Sequence, residues 1–161
     1  MRLWGGLLML LLVCSCKCTD PATDKARALT APEKLEGVLP ASAYNAMAYA
    51  DSGKLFKVEK SLIEGTTDEY SNKSIFTKEL SDKELKALIA QLNSDLAYDW
   101  PQFDKGQDFT AHYQLALKSA NGSVNLLIDM QKGLVSYINL DGQQLLPVTK
   151  DTQEQLKKLI H

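Results

Sequence analysis

Past Cys18 the chain has no cysteine; all three lie between positions 14 and 18. A disulfide framework, a thiolate metal site and a cysteine nucleophile are therefore excluded from the remaining body. Histidine is almost as scarce, with only His112 and His161. A zinc site needs three or four suitably spaced ligands, and the H-E-x-x-H pattern is missing, so no metal is expected. Basic side chains do not outnumber acidic ones: 18 against 20 give a formal charge of −2. Nothing in that balance draws the chain to a nucleic-acid backbone, and no nucleic-acid partner is expected. No apolar run approaches the roughly 18–20 residues that span a bilayer as a helix. There is no P-loop, dinucleotide fingerprint or G-x-S-x-G elbow, and no cofactor is expected. What remains is ordinary in bulk. A chain of 161 residues, 45% hydrophobic and 24% charged, has the size and composition of one globular domain.

The informative stretch at the start is MRLWGGLLMLLLVCSCKC. Arg2 precedes a short apolar run from Leu7 to Val13, the pattern of a secretory signal peptide. Val13-Cys14-Ser15-Cys16 closes it, with small Ser15 before Cys16, and resembles the lipobox of bacterial lipoproteins. The resemblance implies removal of residues 1–15, a diacylglyceryl thioether on Cys16 and an anchor in the membrane. Several acyl chains anchor durably where one binds only marginally. Lys17 rather than aspartate follows the anchor cysteine, which by the same resemblance implies the outer membrane of the cell envelope. A plain signal peptide cleaved near Ser15 or Cys18 is the alternative.

Residues 16–32 read as the lipidated cysteine and a flexible tether of mixed Thr, Ala, Pro, Asp and Lys, with a reach of roughly 20–25 Å. A single α+β domain is expected over 33–161. Residues 43–50, AYNAMAYA, suit a strand or, through their alanines, a helix. KLFKVEKSLIEG then alternates, with Phe56, Val58 and Leu62 on one side and Lys57, Glu59 and Ser61 on the other, a strand with one wet face. A polar loop over 65–73 and a short strand near 74–77 follow. Ser81-x-x-Glu84 is a capping box before Leu85, Leu88, Ile89 and Leu92, spaced as one helical face. Asp151-x-x-Glu154 opens a shorter C-terminal helix.

Between the helices, Asn121-Gly122 and Asp141-Gly142 are strong two-residue hairpin signals, and Lys132-Gly133 offers a loop between them. With these dipeptides at the loop centres, Leu115 faces Ile128, Leu117 faces Leu126 and Tyr137 faces Leu146. The expected fold is an antiparallel sheet with a four-stranded C-terminal meander, its apolar face covered by the helix over 82–93. The other face is mixed, with Ala116, Leu127, Ile138 and Leu145 among His112, Gln114, Asp129, Gln131 and Ser136. It reads either as a second small core filled by residues 43–62 or the last helix, or as a protein-binding patch with a polar rim.

Few constellations carry chemistry. His112 and Asp129 can meet across the hairpin, and Ser136 would complete a formal triad, against the plainer reading of a surface-strand histidine. Asp95, Asp99, Asp104 and Asp108 lack the order of a calcium loop. Tyr98, Trp100 and Phe103 flank Pro101; they form either a recognition tip or a plug at the sheet end. The expected interaction surface comprises Tyr98, Trp100, Phe103, His112, Leu127, Asp129, Ile138 and Leu145. The expected function is that of a lipid-anchored envelope protein without catalytic activity, binding a protein partner. The alternatives are a small envelope hydrolase using His112 and a binder of lipid or peptidoglycan fragments.

Replacing the anchor thiol tests the first of these readings. Cys16→Ser is expected to abolish palmitate labelling and to move the protein out of the membrane fraction. Labelling that survives in Cys16→Ser but is lost in Cys18→Ser would place the anchor two residues later.

Overall fold

The computed structural model describes residues 33–103 and 105–160; Cys16, the signal segment and the tether lie outside the described residues. Two short helices come first, α1 (Glu33–Val38) and α2 (Ala41–Ala48). The hairpin β1 (Ser52–Leu62) and β2 (Tyr70–Glu79) follows, then α3 (Asp82–Leu92). Two 3-10 turns, Asp95–Ala97 and Trp100–Gln102, lead through a loop into β3 (Tyr113–Ser119), β4 (Gly122–Asp129), β5 (Leu134–Asn139) and β6 (Gly142–Pro147). Helix α4 (Lys150–Ile160) is the last described element.

The fold is α+β, with one antiparallel sheet of six strands in the order β2-β1-β3-β4-β5-β6. The last four strands run in sequence order, and the β1–β2 hairpin adds to them through β1 beside β3. Leu115, Leu117, Val124, Leu126, Ile128, Val135, Tyr137 and Leu146 point to one side and are buried. That common side follows from the two-residue period of a strand.

All three hairpins of the meander pair two residues away from the expected register. Leu115 faces Leu126 rather than Ile128, Leu117 faces Val124 rather than Leu126, and Tyr137 faces Gln144 rather than Leu146. The loops are centred on Ala120-Asn121 and Leu140-Asp141, so each glycine opens the next strand opposite Ser119 or Asn139. Gly122 and Gly142 have φ of +130° and +150°, conformations that glycine tolerates and other residues rarely adopt. The dipeptides do specify the turns, but each turn is centred one residue earlier than expected, and the glycine supplies its positive φ just after the centre. Ile128 likewise faces Val135 instead of Tyr137 across the β4–β5 turn. Because each displacement is by two residues, every side chain keeps its face.

The helix on the meander is also not the expected one. Alanine-rich α2 lies across β3, β4 and β5, burying Ala43, Ala46 and Met47. These three share one helical face, and the alanines let the helix axis approach the sheet closely. Helix α3 sits beside β1 and against α4, burying Leu85, Leu88 and Leu92. Its capping box is complete: Ser81 Oγ accepts from Glu84 N, and Glu84 Oε2 accepts from Ser81 N at 2.8 Å. The Lys78 ammonium at 2.8 Å, helped by the Ser81 donors, lowers the Glu84 carboxyl to about 2. This contribution is therefore full above the ordinary glutamate range and fades as the pH falls toward 2. In β1 the core side chain is Leu55, opposite Leu115, whereas Phe56 and Val58 turn to the other face of the sheet. The alternation was legible in the sequence, with Phe56 and Val58 half-buried and Lys57 and Glu59 exposed, but the strand enters the core through Leu55, which lies on the same side as Lys57 and Glu59.

The observed register makes Leu115 and Leu126 a directly opposed buried pair. Leu115→Ala and Leu126→Ala are each expected to cost about 2–5 kcal/mol in chemical denaturation. Their double-mutant cycle should depart from additivity by about 0.5 kcal/mol or more. The Leu115–Ile128 pair, diagonal rather than opposed, should show the smaller coupling; the reverse ranking would restore the register centred on the Asn-Gly dipeptide.

Candidate functional site

The residues expected to share one surface divide into three groups. Tyr98, Trp100 and Phe103 close one end of the core. Tyr98 is 3% exposed; its hydroxyl donates to Leu92 O at 2.6 Å and lies 2.5 Å from the Tyr137 hydroxyl. Since the single Tyr98 proton goes to Leu92, Tyr137 is the donor between the two phenols. Burial pushes both phenols above their ordinary value, so both remain neutral. Trp100 stacks between Tyr98 and Phe103, with ring centroids 5.5 and 6.2 Å away, and its Nε1 donates to Asp95 O at 2.8 Å. Asp95 in turn accepts from Leu35 N at 3.0 Å, and Lys34 Nζ stands 5.8 Å from the Trp100 ring. This aromatic stack is a plug that ties α1 to the core. Tyr98 drops out of the expected surface because it is buried there.

His112 and Asp129 come together at the β4–β5 end of the sheet. Asp129 is 1% exposed. Its Oδ1 accepts from Gln131 N at 2.9 Å and Lys132 N at 3.0 Å, and its Oδ2 accepts from Thr110 N at 3.0 Å. Burial alone would raise this carboxyl. The three backbone donors, and less strongly His112, outweigh it and hold the group below its ordinary value. Asp129 thus folds the β4–β5 turn and pins the loop before β3; it too leaves the expected surface. His112 Nδ1 lies 3.5 Å from Asp129 Oδ1 but accepts from Met130 N at 3.3 Å. With Nδ1 an acceptor, the ring proton of neutral His112 is on Nε2. A serine–histidine–carboxylate relay needs the opposite tautomer, with Nδ1 donating to the carboxylate. Ser136 is fully buried, and its hydroxyl accepts from Gln143 Nε2 at 2.8 Å. The arrangement is a turn cap with a histidine packed beside it, and the hydrolase reading receives no support from its geometry.

Leu127, Ile138 and Leu145 form the third group, on the sheet face opposite the helices. They are half-buried; on the same face Leu134 and Ser136 are fully buried, and the loop before β3 lies over that end, with Gln102, Lys105 and Gln107 lining a pocket beside Leu134 and Leu145. Neither residues 43–62 nor the last helix fills a second core there: 41–48 is a helix on the other face, 52–62 is a strand of the sheet itself, and α4 packs against α3. Residues missed by the sequence reading complete the surface. Ser74 Oγ donates to Gln114 Oε1 at 2.6 Å, and Gln114 Nε2 donates to Asn125 Oδ1 at 2.9 Å. Phe56 and Phe76 pack edge to face at 5.8 Å on the same side. Their place became visible only with the β1–β3 pairing, which joins strands more than 50 residues apart and leaves no local signal in the sequence. The result is an apolar surface laced with side-chain amides and hydroxyls whose geometry is fixed by mutual hydrogen bonds.

An open groove of about 490 Å³ between α3 and α4 has a floor of Ala87, Leu88, Leu156 and Leu159. No group of three or more metal-binding side chains occurs among the described residues, and no described helix is long and apolar enough to cross a membrane.

The structural role of Asp129 gives a sharp expectation. Asp129→Ala leaves three inward-turned N–H groups without their acceptor and is expected to cost about 2–3 kcal/mol. His112→Ala should change the melting midpoint far less. Equal losses in the two variants would make the histidine a structural partner of the same weight.

Comparison with known proteins gives no second source for a function: no protein-family model, no curated protein and no solved structure matches the chain.

Proposed function

We propose that this chain is a lipid-anchored protein of the bacterial cell envelope whose role is to bind a protein partner rather than to catalyse a reaction. One observation carries the reading. The sheet buries a full core on its helical side, while its other side is covered at one end by the loop before β3, at Leu134 and Asp129, and leaves Leu127, Ile138 and Leu145 partly exposed among bonded polar side chains. Contiguous apolar surface with a polar rim is the usual character of a protein-interaction site. The lipobox-like Val13-Cys14-Ser15-Cys16 supports the anchor, and Lys17 supports the outer membrane. A tether over 16–32 would let the domain swivel against a partner held in the same envelope.

Photo-crosslinking in intact cells tests this reading. A benzoylphenylalanine placed at Leu127 or Leu145 is expected to give a discrete envelope adduct. The same probe at exposed Lys86 or Lys157, on the helical side, should give none. The adduct should weaken when Ile138→Asp is added and disappear in Cys16→Ser. Adducts confined to the helical side, or none from either side, would overturn the assignment.

A further inference from the structure

The two edges of the sheet are treated differently. At β6 the C-terminal end of the edge is capped: Asp99 N donates to Pro147 O at 2.9 Å, Tyr98 bridges to Val148, and Pro147 has no N–H to offer. At β2 nothing among the described residues pairs with the outer side, and nine of its ten residues are exposed. Of the eight exposed large hydrophobic side chains among the described residues, Leu62, Ile63, Tyr70, Ile75 and Phe76 all belong to the β1–β2 arm. Proteins usually blunt a long edge of this kind, because its free N–H and C=O groups template another strand.

The phase of those free groups follows from two hydrogen bonds. Val58 N donates to His112 O at 2.8 Å, so the even residues of β1 point toward β3. Ile63 N donates to Glu69 O at 2.9 Å, so odd residues pair with odd ones between β1 and β2. Tyr70, Asn72, Ser74 and Phe76 therefore aim their backbone groups outward. The regular edge runs from Tyr70 to Phe76, where the register shift opposite Leu55 and Phe56 ends it. Lys73 is at its centre, with no carboxylate within 4.0 Å among the described residues. A second copy pairing over this whole stretch would set Lys73 against its own counterpart. That would be a non-hydrogen-bonded pair, where opposed side chains are closest and like charges repel.

We propose that the β2 edge accepts an extended segment of a partner protein as a seventh strand, and that this segment carries an acidic side chain opposite Lys73. The proposal rests on the protein-binding reading above and gives it a mode and a chemical preference. Main-chain bonds to Tyr70, Asn72 and Ser74 would supply affinity, and Lys73 would select the charge and reject self-pairing. Phe76 and Tyr70 border the uncovered face, so an added strand would extend that same surface.

Amide hydrogen exchange on the full chain in detergent solution tests this, with two synthetic peptides as probes: Thr-Val-Thr-Glu-Thr-Val-Thr and its counterpart with lysine at the centre. At saturation the glutamate peptide is expected to slow exchange at Tyr70, Asn72 and Ser74 by about tenfold or more, without change at Lys73 and Ile75, which already bond to β1. The lysine peptide should bind about tenfold more weakly, and Lys73→Glu should invert the preference. No slowing at the three outward amides, or equal effects of both peptides, would overturn the proposal. Protection of the same amides that rises with protein concentration alone would assign the edge to a second copy instead. Crosslinks from Leu127 and Leu145 that persist while both peptides fail would remove the edge alone and leave the binding function standing.

Discussion

A sheet whose strands alternate can bury one face far more than the other, and this protein depends on that asymmetry everywhere but at the start of β5, where Leu134 and Ser136 are buried on the second face as well. Leu115, Leu126, Ile128, Val135, Tyr137 and Leu146 carry the buried face. Every described helix rests on that side of the sheet or on its rim. Helix α2 crosses the central strands through Ala43 and Ala46, α3 and α4 pack side by side, and Asp95 caps α1. A one-residue slip in any strand would turn its leucines to solvent, so the register is held by the same burial that stabilises the domain.

The polar devices at the margins of the core keep that single face dry. The Tyr98–Tyr137 phenol pair ends on a backbone carbonyl and leaves no buried hydroxyl proton unpaired. Asp129 satisfies three N–H groups that would otherwise be stranded, two in the β4–β5 turn and one in the loop before β3. On the other side of the sheet, Ser74, Gln114 and Asn125 are joined in one chain of hydrogen bonds, and Gln143 is held separately by buried Ser136. A surface ordered in this way costs little further side-chain entropy on binding, which favours recognition.

Much of this was legible in the chain, and the failures have physical causes. The capping box at Ser81 and the face-by-face sorting of β3–β6 could be read directly, because both depend on short-range spacing. The register of each hairpin could not. An Asn-Gly pair says that a positive φ is needed nearby, but not whether the glycine occupies the turn centre or opens the next strand. An even displacement preserves the pattern of faces, so the hydrophobic alternation could not detect it. Helix α2 escaped because an alanine-rich octet has no strong amphipathic stripe, and only the sheet beneath it decides its state. The sequence paired His112 with Asp129 correctly in space but for the wrong purpose. The backbone donors that claim Asp129 come from Thr110, Gln131 and Lys132, and side-chain identity does not reveal them. Tyr98 was grouped with the surface for want of a partner, and that partner, Tyr137, lies 39 residues away.

One side of the sheet is dry, and the other is open at Leu127, Ile138 and Leu145, in the intact protein. Methyl relaxation by a soluble paramagnetic agent measures it directly on the full-length chain. The structure predicts strong enhancement at Leu127, Ile138 and Leu145 and weak enhancement at Leu115, Leu126 and Leu146. Protection of Leu127, Ile138 and Leu145 to the level of the core leucines would mean that another part of the chain covers this face, and would contradict the account.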